Sequence, residues 1–296
     1  MKPQLCLGTA QFGLAYGITN TNGQVSEAEV GQLLVQANNA GICWLDTAQA
    51  YGNAESVLGR NLPVAHRFQL ISKLPAQPQL GFSADDAESW EQSFRLSCQH
   101  MRVQCLDSLL LHAPADLRKP GGSFLENWLL GLRERGLVKR LGVSIYASED
   151  LDGVNPALLD LVQLPLSLFD QRLLQNGTLA SLRARGTAIH ARSLYLQGLL
   201  LTPATQWPTW ISAQVRAHQQ ALERLSQQRG CRLIDLALGF ARAQTDLEVV
   251  VLGLCRVEEL RQLQAAWSAT SPWQEGEWPN WALQDPCILD PRRWPR

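Results

Sequence analysis

No run of this sequence approaches the roughly 18 apolar residues that a membrane-spanning helix needs. The opening MKPQLCLGTAQFG lacks the charged-then-apolar build of a secretory signal. Lys and Arg number 26 against 27 Asp and Glu, a formal net charge of −1, and no stretch is strongly basic. Nucleic acid and anionic membrane are therefore not the expected partners. The seven cysteines (6, 43, 98, 105, 231, 255, 287) are scattered, odd in number and include no C-x-x-C pair. That argues against a disulfide framework and a structural zinc site, and free thiols suit a reducing cytoplasm. No G-x-G-x-x-G follows the first candidate strand, which counts against a doubly wound dinucleotide-binding sheet. No low-complexity linker divides the chain.

What the chain does have is core. Of its 296 residues, 46% are hydrophobic and 18% charged, and an α/β barrel typically needs about 250 residues. A hand-over from helix to strand recurs, with Gly at the junction. Ser26-Glu-Ala-Glu29 reads as a capping box, followed by Val30, Leu33, Leu34 and Ala37 on one helical face. Gly41 ends that helix before a short buried strand. Leu125, Trp128, Leu129 and Leu132 stripe a helix that stops at Gly136, and Leu179 and Leu182 precede Gly186. Strands are expected over residues 4–7, 42–45, 68–72, 108–111, 137–144, 159–163, 187–191 and 248–252. Eight strands alternating with helices imply right-handed crossovers, a parallel sheet and a closed (β/α)8 TIM barrel in one domain. The barrel is expected over residues 1–268. A Trp- and Pro-rich tail over 269–296, holding Trp273, Trp278, Trp281 and Trp294, is expected to pack on it.

In such a barrel the active site lies at the carboxy-terminal strand ends. Strand two ends at Asp46 and its loop presents Tyr51; strand three ends at Lys73; strand four ends at His112. Taken singly, Asp46 reads as a turn acceptor, Tyr51 as rim packing, Lys73 as a solvated terminus and His112 as a core histidine. Together they are complementary groups on three neighbouring strands. A free Tyr has a pKa near ~10, and a Lys ammonium beside it would lower that value. Asp46 supplies the counter-charge, and His112 orients a substrate oxygen. The set suits proton transfer to a carbonyl oxygen, with Tyr51 as general acid, or as base in the reverse direction.

The ordered motifs Leu7-Gly-Thr-Ala-Gln-Phe-Gly13, Asp46-Thr-Ala-x-x-Tyr51-Gly-x-x-Glu55, Lys73, Leu110-Leu-His112 and Gly142-Val-Ser144 resemble the aldo-keto reductases. The resemblance covers the chain to about residue 268, and Leu289-Asp-Pro-x-x-Trp294 resembles the ending of some bacterial members. It implies a (β/α)8 barrel, a nicotinamide cofactor bound without a Rossmann domain, and interconversion of a small aldehyde, ketone or aldose with its alcohol. It also implies cofactor-binding roles. Thr9 and Ala10 lie near the nicotinamide, and Ser144 and Gln163 hold its carboxamide. Ser193, Leu194, Leu196 and Gly198 wrap the pyrophosphate. Gly253, Leu254, Cys255 and Arg256 receive the adenosine phosphate at a helix start, with Glu259 and Gln262 following.

Four positions depart from the commonest pattern. Ile145 stands where an Asn usually follows the Ser, and Leu263 replaces a usual Asn. Arg192 takes the place of an aromatic that stacks on the nicotinamide, and a guanidinium plane can also stack. Glu259 stands where many NADPH-using members carry Arg; Arg256 could compensate, or be an ordinary exposed helix start. The expectation is NADP(H), by a slight margin over NAD(H).

The competing reading is a non-catalytic, aldo-keto-reductase-like regulatory or binding subunit, motivated by those altered positions. A metal-dependent barrel hydrolase or isomerase ranks last, because no His/Asp/Glu cluster appears at the strand ends. Trp281 or Trp294 either stacks on substrate or only packs the tail.

Overall fold

The computed structural model describes residues 2–274 and 276–295; Glu275 and Arg296 of the expected tail lie outside that set. Eight parallel strands close into a barrel in sequence order. They are β1 (Gln4–Gly8), β2 (Trp44–Asp46), β3 (Gln69–Leu74), β4 (Leu106–Leu111), β5 (Val138–Ser144), β6 (Leu161–Pro165), β7 (Ala188–Arg192) and β8 (Val249–Gly253). The β1–β8 pairing, Gln4 on Val249 through Gly8 on Gly253, closes the ring. The helices are α1 (Ala10–Gly13), α2 (Glu27–Asn39), α3 (Ala54–Asn61), α4 (Asp86–Met101), α5 (Gly122–Glu134), α6 (Arg172–Gln175), α7 (Thr178–Ala184), α8 (Ala213–Gln228), α9 (Leu233–Ala243), α10 (Val257–Ala269) and α11 (Pro286–Leu289).

Both faces of each strand are covered, so the strands read as apolar runs rather than alternations. Cys6, Trp44, Ile71, Leu110, Leu161 and Val249 fill the barrel interior. The alternate residues, such as Leu7, Leu45, Leu70 and Leu109, join the layer between barrel and helices. All eight expected strands are present, with boundaries moved by no more than two residues. Asp46 is the last residue of β2 and Lys73 the last but one of β3, at the strand ends where they were expected.

Gly41 (φ +75°) and Gly136 (φ +71°) take the left-handed conformation expected of helix-ending glycines. The expected capping box is only half made. The Ser26 hydroxyl accepts from Glu29 N–H at 3.3 Å, but the Glu29 carboxylate does not return to Ser26. It accepts instead from the N–H of Val257, at 2.6 Å, in the first turn of α10.

The amino-terminal mouth of the barrel is pinned by charge. Arg140 donates to Asp107 at 2.9 Å and to Glu248 at 2.9 Å, and the His190 ring nitrogen lies 2.7 Å from Glu248. The guanidinium also sits 4.7 Å from the Trp44 ring centre. Hydrogen bonds from His190 and Arg140 hold the Glu248 carboxyl down at about 2.

The tail lies against the barrel's helices. Trp273 packs on Gly239, where any side chain would collide with its indole. Trp278 meets Phe240 edge-on at 6.1 Å, Trp281 covers His218 at 5.5 Å, and Trp294 covers Trp210 at 5.6 Å. Arg292, tied to the buried Asp290, lies 3.6 Å from the Tyr146 ring centre, and Arg192 lies 4.0 Å from it. Tyr146 is thus sandwiched between a tail arginine and a barrel arginine.

Candidate active site

At the carboxy-terminal end of the barrel, the parallel register sets Gly8, Asp46 and Ile71 side by side, and Lys73 beside Leu110. The Lys73 ammonium donates to both Asp46 oxygens and to the Thr47 carbonyl, each at 2.8 Å. All three of its protons are used. The pair is nearly water-free, with the Lys73 side chain 1% and the Asp46 side chain 5% exposed. Gln163 donates a fourth bond, 2.7 Å to Asp46 Oδ1.

Tyr51 and His112 stand over this pair. Their ring centres are 6.1 Å apart, edge-on at 81°, and the Lys73 nitrogen lies 5.2 Å from the Tyr51 ring centre. The Tyr51 loop is set by a close backbone approach. A Cβ at Gly13 would overlap the Tyr51 carbonyl and the Ala54 N–H, so the first loop can press on the second only through glycine.

The expected lowering of the Tyr51 pKa is absent. Removal from water, and then the Asp46 charge, push the phenol well above its ordinary value; the opposing pull comes from Arg192. Lys73 is committed to Asp46 and Thr47 instead. His112 is pushed down to about 4, first by removal from water and then by the Lys73 and Arg192 charges. At neutral pH the site therefore offers a protonated phenol and a neutral imidazole, two hydrogen-bond donors facing one space.

That space is a cleft of about 460 Å³ reaching from Tyr51 and His112 to Glu259 and Gln262. Of the expected cofactor residues, its walls include Thr9, Ala10, Arg192, Ser193, Leu194 and Gly198, and, at the far end, Gly253, Leu254, Cys255, Glu259 and Gln262. The Thr9 hydroxyl donates to the Asp46 carbonyl, 3.0 Å away. Two findings correct the expectations. The Leu196 side chain is fully buried in the core rather than wrapped over the cleft. Arg256 is off the cleft wall, exposed, and donates to Asn22 Oδ1 at 3.2 Å. Trp281 and Trp294 are not on the cleft wall either.

Ser144 and Gln163 lie behind the cleft, opposite each other on β5 and β6. The Ser144 Oγ and Gln163 Oε1 are buried atoms without a hydrogen-bond partner. A hydroxyl donor beside an amide acceptor matches the C=O and NH2 of a primary carboxamide, so these residues fit the nicotinamide amide. Arg192 is anchored to the Ile145 carbonyl at 2.9 Å and to Ser193 Oγ at 3.3 Å, with no carboxylate partner among the described residues.

Sequence reasoning missed several parts of the wall. Tyr16, Thr19, Asn20 and Asn22, from the loop after α1, line the cleft, and Thr19 closes onto the Gln197 carbonyl at 3.2 Å. Tyr146 lines it as well. Polar loop residues carry no period; the only signal was a Gly- and Asn-rich connection on the catalytic side of β1. Among the described residues, no three His, Cys, Asp or Glu side chains converge as a metal site, and no helix is long and apolar enough to cross a membrane.

Comparisons with known proteins bear on this arrangement. The profile described as "Aldo/keto reductase family" matches residues 4–278. An aldo-keto reductase of Mycolicibacterium vanbaalenii is 31% identical over 242 residues, 77% of this chain and 80% of that protein. One from Mycolicibacterium smegmatis is 29% identical over 139 residues, 45% of each chain. The holo form of aldo-keto reductase AKR11C1 from Bacillus halodurans matches with TM-score 0.72 at 18% identity, covering 94% of this chain and 90% of that one. The glycerol dehydrogenase AKR11B4 from Gluconobacter oxydans gives 0.69 at 20%, covering 92% and 88%. At such identities the structural likeness speaks for the barrel alone. The profile match, spanning nearly the whole barrel, places this chain in the aldo/keto reductase family, whose members interconvert carbonyls and alcohols.

Proposed function

We propose that this protein is a nicotinamide-dependent reductase of a small aldehyde, ketone or aldose, with Tyr51 as the proton donor and with the reverse oxidation available. The observation that carries this reading is the stack at the barrel end. Tyr51 and His112 face one cleft over a buried, fully hydrogen-bonded Lys73–Asp46 pair. A nicotinamide cofactor, held by residues such as Ser144 and Gln163, would supply the hydride. The chain's own groups handle the carbonyl oxygen. Tyr51 and His112 donate to it, which holds the carbonyl and stabilises negative charge as it develops there. The Tyr51 proton then passes to that oxygen. Its raised pKa keeps the phenol protonated until then.

The lower pair acts as a support. Asp46 holds Lys73, and Gln163 binds Asp46, which ties the carboxamide-type pocket to the catalytic end. Arg192, with its plane on Tyr146, occupies the wall where the family resemblance sets the nicotinamide ring.

Tyr51→Phe tests this directly, since it removes the transferable proton and leaves the ring. With NADH and NADPH each offered, a panel of small aldehydes, ketones and aldoses is expected to be turned over by the wild type. The variant is expected to lose ~100-fold or more in kcat, within the range for a lost general acid, with cofactor affinity unchanged. Wild-type rates in Tyr51→Phe would remove Tyr51 from the role. Cofactor binding without turnover of any carbonyl, in folded wild type, would favour a non-catalytic subunit.

A further inference from the structure

We infer that the far end of the cleft is built to accept NAD(H) and to refuse NADP(H), through Glu29 and Glu259. This rests on reading the cleft as a nicotinamide-dinucleotide site, which the buried, unpartnered Ser144 Oγ and Gln163 Oε1 at the near end support independently.

The far end is formed by Gly253, Leu254 and Cys255 leading into α10, with Glu259 and Gln262 on its first turns. A loop of this kind is an anion site when its N–H groups point outward unpaired. Here two of them are already taken. The Cys255 N–H donates to Glu259 Oε2 at 2.7 Å, and the Val257 N–H donates to Glu29 Oε1 at 2.6 Å. Glu259 lines the cleft; Glu29 arrives from α2, 228 positions away in sequence. Arg256, the cation that could offset them, is absent from the cleft wall and donates to Asn22 at the rim, at 3.2 Å.

A 2′-phosphate arriving at this loop meets two occupied amides and a carboxylate on the cleft wall, a like charge at short range. The unphosphorylated adenosine ribose brings hydroxyls instead, and a carboxylate accepts from a hydroxyl. The same chemistry separates the two cofactors where an acidic side chain meets the ribose 2′-OH in dinucleotide folds. Glu29 is the less obvious half of the device. By capping Val257 it removes the second donor, which a change at Glu259 alone would otherwise leave for phosphate.

The test is binding, read from quenching of intrinsic tryptophan fluorescence, with the full chain titrated separately with NADH and NADPH. The expected result is NADH tighter than NADPH by about 100-fold, which is ~2.7 kcal/mol. Glu259→Gln keeps a hydrogen-bonding group for Cys255 and removes the charge; it is expected to tighten NADPH by about tenfold. Adding Glu29→Gln is expected to tighten it further, while NADH, which loses a carboxylate acceptor for its ribose hydroxyl, does not tighten, in variants shown to be folded by circular dichroism. Wild type that binds NADPH as tightly as NADH would overturn the inference and leave the dinucleotide reading standing, as would variants with unchanged NADPH affinity. Folded wild type that binds neither would bring down the dinucleotide reading and this inference with it.

Discussion

The Lys73–Asp46 pair lends itself to a double-mutant cycle. Both side chains are almost fully buried, and three of the four hydrogen bonds around them run from the ammonium. Breaking a buried pair by removing one partner leaves an uncompensated charge and costs about 3–5 kcal/mol. Lys73→Met leaves the Asp46 carboxylate with Gln163 as its remaining side-chain donor. Asp46→Asn leaves the ammonium facing an amide and the Thr47 carbonyl, although it can shed its proton, which limits the loss. The double variant leaves no buried charge, so its loss is expected to be no larger than that of either single change. The non-additivity is then about 3 kcal/mol, far above the ~0.5 kcal/mol seen for independent sites. Urea unfolding followed by tryptophan fluorescence measures all four corners. Single losses below about 1 kcal/mol, or additive losses in the double variant, would refute the claim that these two charges are sealed together.

Two further outcomes separate the ends of the barrel. Gly13→Ala puts a methyl into the backbone of Tyr51 and Ala54, so the Tyr51 loop must shift. Overpacking of this kind costs about 1–3 kcal/mol, and a shift of ~1 Å at a reacting group costs about 100-fold in rate; an unchanged kcat would show that the contact does not position Tyr51. At the opposite mouth, the Glu248 carboxyl is lowered from 4.5 to about 2 by His190 and Arg140. A depressed carboxylate contributes stability that is full above pH ~4.5 and lost as pH falls toward 2. Glu248 is 37% exposed, so after solvent screening we expect ~1–2 kcal/mol. Glu248→Gln is expected to lose that acid-range dependence with kcat at neutral pH intact, as thermal melts against pH and one rate assay would show. A variant with the wild-type acid profile would contradict it.

The barrel and the cluster of Asp46, Tyr51, Lys73 and His112 at its end were legible in the sequence for one reason: both are local patterns repeated in order. Each strand is a short apolar run closed by turn residues, because both its faces are covered. Asp46, Lys73 and His112 each sit where such a run ends, with Tyr51 in the loop after the first of them. What stayed hidden depends on contacts between distant segments. Nothing near Ser26 indicates that Glu29 leaves its own helix start to cap α10. Nothing near Tyr146 indicates that arginines from β7 and the tail stack upon it. The pKa of Tyr51 was misread for the same reason. Adjacency to Lys73 was legible, whereas the saturation of that ammonium by Asp46 and Thr47 was not.

That saturation reshapes the chemistry available to Tyr51. An ammonium with free donors would pull the phenol toward phenolate and prepare it as a base. One whose three protons are held by Asp46 and Thr47 leaves a phenol governed by burial and by the Asp46 charge, both of which favour the protonated form. The remaining cation that pulls the other way, Arg192, stands on the wall where the resemblance sets the nicotinamide ring. A guanidinium there repels the positively charged oxidised ring more than the neutral reduced one. On the proposed reading, the two asymmetries point the same way: Tyr51 is held ready to give a proton, and the wall beside it disfavours the oxidised cofactor. The protonated phenol is the form from which carbonyl reduction would start. The oxidation would need the phenolate, and Arg192 is the group placed to stabilise it.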